Sequence, residues 1–275
     1  MNTLRYEVDG RVARITLDRP ERGNGITLEM PRELSGAVEQ ANLDPAVHVI
    51  ALSGAGKGFC GGYDLVEYAE TRPANHDPSQ AWDPVVDYQF MSRNVRGFMS
   101  LFHSDKPVVC KVHGFCVAGG TDMALCSDLL VIADDARIGY PPARVWGVPT
   151  TALWAHRIGD QRAKRLLFTG DLINGAQAHE WGLAVDAPPA TELDERFEAL
   201  VQRIAQLPVN QLVMMKLLVN QALYAQGLQA TQVLGTLFDG VARHTPEGYA
   251  FQARAAEAGF KQAVAERDAP FGEAR

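Results

Sequence analysis

Several absences bound what this 275-residue sequence can be. No apolar run approaches the ~20 residues needed to cross a bilayer, and the N-terminus shows no basic-then-apolar signal pattern. No membrane partner is expected. Cysteine is scarce: Cys60, Cys110, Cys116 and Cys126 lack the paired spacing of a metal site, and a chain of this size needs no disulfide staples. The expectation is a reduced, cytoplasmic protein without a metal. Basic excess is also missing. There are 26 Lys and Arg against 33 Asp and Glu, and a net charge of −7 argues against nucleic acid as a partner. What is present, 47% hydrophobic and 21% charged residues, suits a soluble globular protein. The length suits one domain plus an appendage.

Taken in order, residues 4–8 and 12–17 alternate in hydrophobicity around Asp9-Gly10, a strong hairpin signal. A polar loop follows Asp18-Arg19-Pro20 as far as Gly25. A helix is expected over 27–42, capped by Thr27, with Pro31 tolerated in its first turn. Residues 47–53 form the next strand. Pro73, Pro78 and Pro84 crowd a segment, 72–84, that reads as a mobile surface loop serving as a lid, with Trp82 and Tyr88 partly buried beside it. A helix over 85–102 precedes a buried strand from Val108 to Val112, and residues 129–133 form another strand. From Thr150 the chain is mostly helical, with helices expected over 161–168, 175–181, 192–206, 210–226, 228–242 and 246–266.

Two strands run into glycine turns. The first turn is Gly54-Ala55-Gly56-Lys57-Gly58-Phe59-Cys60-Gly61-Gly62-Tyr63-Asp64; the second is His113-Gly114-Phe115-Cys116-Val117-Ala118-Gly119-Gly120-Thr121-Asp122. A strand that breaks into glycines before a helix exposes unpaired N–H groups, and missing Cβ atoms let an oxygen approach them. Gly56-Lys57-Gly58-Phe59-Cys60-Gly61 fits a dinucleotide fingerprint formally, but the turn runs on through Gly62 and no second strand follows. A P-loop fails too, because Ala51 and Gly58 stand where it needs Gly and Ser or Thr. Two such turns can each aim one N–H at the same carbonyl oxygen.

The pair resembles the enoyl-CoA hydratase/isomerase (crotonase) family. The resemblance runs through Phe59 to Asp64, Gly114 to Asp122 and Cys126-Ser127-Asp128, and covers nearly the whole chain. It implies an α/β fold: a crotonase-like spiral of ββα units over 1–195, then a C-terminal α-helical trimerisation region over 196–275, hence a homotrimer or homohexamer. It implies an acyl-CoA thioester as substrate, no further cofactor because the substrate carries coenzyme A, and an oxyanion hole from the N–H groups of Tyr63 and Gly119. By the same likeness Asn24, Ile26, Gly61, Gly62, Asp64, Leu65, Phe115, Val117, Pro142 and Trp146 contact substrate. Arg19, Arg22, Lys57 and a neighbouring subunit's Lys261 are expected near the coenzyme A phosphates. Asp64 and Asp128 are expected to cap the elements that follow them.

The resemblance also has a gap. Family hydratases place one glutamate in the helix after the second turn and another further on. Here those slots hold Asp122 and Pro142, and proline cannot titrate. Proton transfer beside a thioester puts charge on the carbonyl oxygen, which two N–H donors stabilise while side chains do the acid–base work. Asp122 is the expected acid/base, although an Asp in a first helical turn is also favoured by the dipole. Tyr140, Arg144 and Trp146 are expected to line the acyl pocket, His113 to be a hydrogen-bonded core residue, and Cys60 and Cys116 to be small buried residues. The expected activity is enoyl-CoA hydratase/isomerase chemistry, with a single-base double-bond shift easier than hydration. The alternatives are a non-catalytic acyl-CoA-binding protein and an enzyme of the same fold acting on a cyclic or aromatic acyl-CoA.

Overall fold

The computed structural model describes residues 1–65, 67, 68 and 81–272; most of the expected lid segment lies outside them. Alternating residues make the antiparallel hairpin of β1 (Leu4–Asp9) and β2 (Val12–Leu17), turned by Gly10 at φ 57°. β2 continues in parallel to β3 (Val49–Gly54), β4 (Val108–Val112) and β6 (Leu129–Ile132), giving a five-stranded sheet in the order β1-β2-β3-β4-β6. The central strands are almost wholly apolar and buried, as parallel strands covered on both faces must be. A second, three-stranded sheet is built from β5 (Phe115–Val117), β7 (Arg137–Gly139) and β8 (Leu172–Asn174). None of these three strands was expected individually. Three residues are too few to display an alternating pattern.

α1 (Met30–Leu43) packs on β1 and β2 and against α2 (Pro84–His103). The helix begins three residues later than expected and its N-cap is Glu29, not Thr27, although the Thr27 hydroxyl still accepts the Met30 N–H. α3 (Gly119–Ala124) follows the second glycine turn. The short helices α4 (Trp154–Ile158), α5 (Asp160–Thr169) and α6 (Gly175–Glu180) lead to α7 (Leu193–Ala205), which packs on β2, β3 and β6. The expected boundary at 195 therefore falls inside a helix that covers the main sheet. α8 (Val209–Ala225) is pinned to the sheet by Lys216, whose ammonium bonds Asp128 at 2.8 Å. Asp128 also accepts the Val108 N–H at 2.7 Å, so its carboxylate ties the start of β4 rather than capping the element after it.

α9 (Leu228–Arg243) packs against α2. The single helix expected over 246–266 is two, α10 (Pro246–Ala258) and α11 (Phe260–Asp268), broken at Gly259 with φ 83°. That break folds Phe260 back onto Phe251, with ring centroids 5.5 Å apart, and lays both helices over a cleft in their own chain. No described helix is long and apolar enough to cross a membrane.

Candidate active site

The two glycine turns are zipped together by backbone. Phe59 N–H donates to Phe115 O at 2.9 Å, Val117 N–H donates to Cys60 O at 3.0 Å, and Cys60 pairs with Cys116 as in a parallel bridge. Both strands advance at the same rise per residue. Three residues beyond the bridged cysteines on each chain stand Tyr63 and Gly119. Glycine is required at this contact: a Cβ on Gly62, which sits at φ 96°, would lie 2.8 Å from Ala118 Cβ and 3.5 Å from the Gly119 nitrogen. A Cβ on Gly119 would meet the Tyr63 ring at 2.8 Å, and one on Gly114 would collide with the Lys57 carbonyl. Ala118 itself holds φ 53° and ψ −130°, a costly backbone conformation for a residue with a side chain.

That strained residue opens α3. Tyr63 O–H aside, the backbone matters most: the neighbours Gly62 O and Asp64 N–H both bond Ile26, whereas the N–H groups of Tyr63 and Gly119 have no backbone acceptor among the described residues. Both residues line a cleft of about 1390 Å³.

Of the other residues expected at the site, Gly61, Leu65, Phe115, Val117, Pro142, Trp146 and Lys261 line this cleft. Lys261 lines the cleft of its own chain, because α11 folds back over it. Asn24 and Ile26 are fully buried behind the wall. The Asn24 amide donates to the carbonyls of Ala55, Gly58 and Phe59, and its oxygen accepts the Arg19 N–H, so it clamps the first glycine turn. Asp64 pairs with Arg19 at 2.9 Å and Arg22 at 3.0 Å. Burial pushes the Asp64 carboxyl up, but hydrogen bonds from Arg22 and Arg19 outweigh it and hold it below the usual carboxylate range. None of Arg19, Arg22 and Lys57 lines the cleft. Arg144 does not line it either; it bonds Asp268 at 3.0 Å and the Thr169 carbonyl, tying the 3₁₀ turn of residues 141–144 to the end of α11. His113 bonds the Gly56 carbonyl at 2.9 Å. Cys60 and Cys116 are buried, and burial pushes the Cys60 thiol up to about 12, far from a reactive thiolate. Among the described residues no three His, Cys, Asp or Glu gather as metal ligands.

Asp122 is 1% exposed and sits behind the cleft wall. Its Oδ1 accepts the Thr151 N–H at 3.0 Å and the Thr151 hydroxyl at 2.8 Å, while Oδ2 is buried with no hydrogen-bond partner among the described residues. Burial pushes this carboxyl up to about 7, against the Thr151 hydrogen bonds and with help from the charge of Asp239. The cleft also holds groups the sequence did not flag. Asp239 and Arg243 of α9 line it with Tyr68 and Met91, and Trp146 packs between Phe251 and Phe260 at 5.6 and 5.5 Å. Burial raises the hydroxyl pKa of Tyr63 and of Tyr140 well above 10, and the charges of Asp122 and Asp239 add to both rises. Four titratable groups thus feel one another at this end of the cleft.

A sequence profile of the enoyl-CoA hydratase/isomerase family matches residues 7–251. The chain belongs to that family. An enoyl-CoA hydratase from Mycobacterium smegmatis, solved as a crystal structure, is 62% identical with a TM-score of 0.95, over 98% of this chain and 94% of that one. EchA13 of Mycobacterium tuberculosis is 33% identical over 82% of this chain and 76% of its own. The 1,2-epoxyphenylacetyl-CoA isomerase of Escherichia coli is 30% identical over 81% and 83%. The two sheets and the C-terminal helices are accordingly a crotonase fold, and the chain is an acyl-CoA-transforming enzyme of the crotonase family.

Proposed function

We propose that the Tyr63 and Gly119 N–H groups form an oxyanion hole for the thioester carbonyl of an enoyl-CoA, and that Asp122 is the acid/base on the α-carbon side. The observation that carries this reading is the zipped pair of glycine turns, which leaves those two N–H groups without backbone acceptors among the described residues, beside a cleft of about 1390 Å³. Losing one such donor typically raises the barrier by about 2.7–4 kcal/mol. A carboxyl near 7 is matched to proton transfer at neutral pH. The lining of Tyr63, Tyr68, Tyr140, Trp146, Phe251 and Phe260 favours an acyl group that carries a ring over a short linear chain. Apolar side chains exposed on α8 and α9, among them Leu217, Leu218, Val219, Leu237 and Phe238, support assembly into a homo-oligomer.

The test is turnover of a panel of 2-enoyl- and 3-enoyl-CoA thioesters, linear and phenyl-bearing, followed by absorbance and mass. Wild type is expected to add water or move the double bond, and Asp122→Asn to lower turnover by about 10²–10⁴-fold while thioester binding persists. Thioesters that bind and emerge unaltered would place the protein among acyl-CoA carriers instead.

A further inference from the structure

We propose that Asp239, reaching into the cleft from α9, is the second catalytic carboxylate of this enzyme and activates water at the β carbon. The inference rests on the enoyl-CoA reading above and supplies what Pro142 withholds. Three atoms from separate parts of the chain converge beside Gly147: Pro142 Cβ, Tyr140 Oη and Asp239 Oδ1 lie 3.0, 3.4 and 3.5 Å from the point a Gly147 Cβ would occupy. Glycine there leaves the space open, and all of Pro142, Tyr140 and Asp239 line the cleft. A carboxyl group therefore stands within a few ångströms of the slot whose own side chain cannot titrate.

The carboxyl is held for this placement. Its Oδ1 accepts the Val148 N–H at 3.2 Å and its Oδ2 pairs with Arg243 at 3.2 Å. Arg243 also grips Asp87 of α2 at 3.1 Å, and a Cβ on Gly240 would collide with that Asp87 carboxylate. Two carboxyls thus share one guanidinium, all three groups being nearly buried. Among the described residues, Asp87, Arg243, Asp122, Tyr63, Tyr68 and Tyr140 are the titratable groups coupled electrostatically to this network. Burial raises the Asp239 carboxyl, the Arg243 charge opposes the rise and the Asp87 charge adds to it. The result is a base that ionises closer to neutrality than an exposed aspartate does, at the place where a water would face an acyl chain.

In the step itself the water oxygen bonds to C3 of the 2-enoyl thioester as Asp239 takes its proton. The C2–C3 π pair moves toward the carbonyl, whose oxygen the Tyr63 and Gly119 N–H groups hold, and C2 takes a proton from the Asp122 carboxyl. Asp239 then releases its proton to solvent and Asp122 takes one up, so the sum is one water added across the double bond.

The test uses the full chain and three variants, read by water addition to the 2-enoyl-CoA panel and by exchange of the α protons of saturated acyl-CoA in D₂O. Asp239→Asn should lose about 10²–10⁴-fold in kcat for hydration with little change in KM, and keep α-proton exchange, which needs only the oxyanion hole and Asp122. Asp122→Asn should lose both. Asp87→Asn opens the same ion-pair network without touching the cleft. It should keep kcat within about tenfold and move the lower limb of the pH profile to lower pH, because a neighbouring negative charge is gone. Equal losses in Asp87→Asn and Asp239→Asn would mean that Asp239 only anchors Arg243, and the proposal falls. It falls alone if Asp239→Asn hydrates as fast as wild type, or if wild type moves double bonds without adding water. If wild type neither exchanges α protons nor turns over any thioester, the enoyl-CoA reading falls with it.

Discussion

The two ends of the cleft are made of different material. The proposed thioester end is backbone: two glycine turns, a strained Ala118 and a pair of N–H groups, fixed by hydrogen bonds between residues 59–60 and 115–117. The proposed acyl end is side chain: Tyr140, Trp146, Asp239, Arg243, Phe251 and Phe260, delivered by the residues flanking a 3₁₀ turn and by three C-terminal helices. Backbone donors cannot be exchanged by substitution, so the chemistry they support stays constant while the side chains opposite set which acyl group fits. The same contrast predicts how each end breaks.

The sharpest break is at the backbone end. Gly62→Ala puts a methyl group 2.8 Å from Ala118 Cβ at a φ of 96°, so one of the two peptides must rotate away. Turnover of any substrate should fall by about 10²–10³-fold, the effect of losing one oxyanion donor. Circular dichroism should stay native and thioester binding should weaken far less than kcat. A variant with unchanged kcat would show that these N–H groups do not meet the reacting carbonyl.

Legibility follows the same division. The turns are legible because glycine is needed where backbone approaches backbone, and that need is written at each position, from Gly62 and Gly114 to Gly119. The acyl end is not. Asp239 and Arg243 stand four apart on α9, a spacing that says nothing of burial; Asp87, 156 residues before Arg243 and brought there by α2, joins them in a buried network that no local pattern announces. Lys261 was expected near the phosphates by resemblance; what hid its place in the cleft of its own chain is the break at Gly259, inside a stretch expected as one helix, although a glycine inside a helical pattern was the available sign. Asn24 matched a substrate-side loop, yet its amide proved to be the clamp of the first turn.

A smaller effect tests the boundary between the two ends, where Asp122 stands. Its carboxyl ionises at about 7 in the folded chain and near 3.9 when unfolded. Between those values the folded state holds more protons than the unfolded one, so stability falls as pH rises through that window and levels off above it. Asp122→Asn lacks this loss. Its stability relative to wild type should rise between pH 5 and pH 8 by on the order of 2 kcal/mol in denaturant unfolding. A difference independent of pH would mean the carboxyl ionises at its ordinary value and is not poised for proton transfer.

The smallest effect lies at the mouth. Lys261 is exposed on α11 and lines the cleft alongside Arg137. A solvent-exposed cation facing a phosphate contributes little, on the order of 0.2–1 kcal/mol, and less as salt screens it. Lys261→Ala should therefore raise KM for an acyl-CoA by about two- to fivefold, leave kcat unchanged, and lose its effect at high ionic strength. The same variant should not alter the binding of a thioester made with pantetheine alone, which carries no phosphate. If instead kcat falls while KM holds, Lys261 acts on the acyl end, and the fold-back of α11 serves the chemistry rather than the grip on coenzyme A.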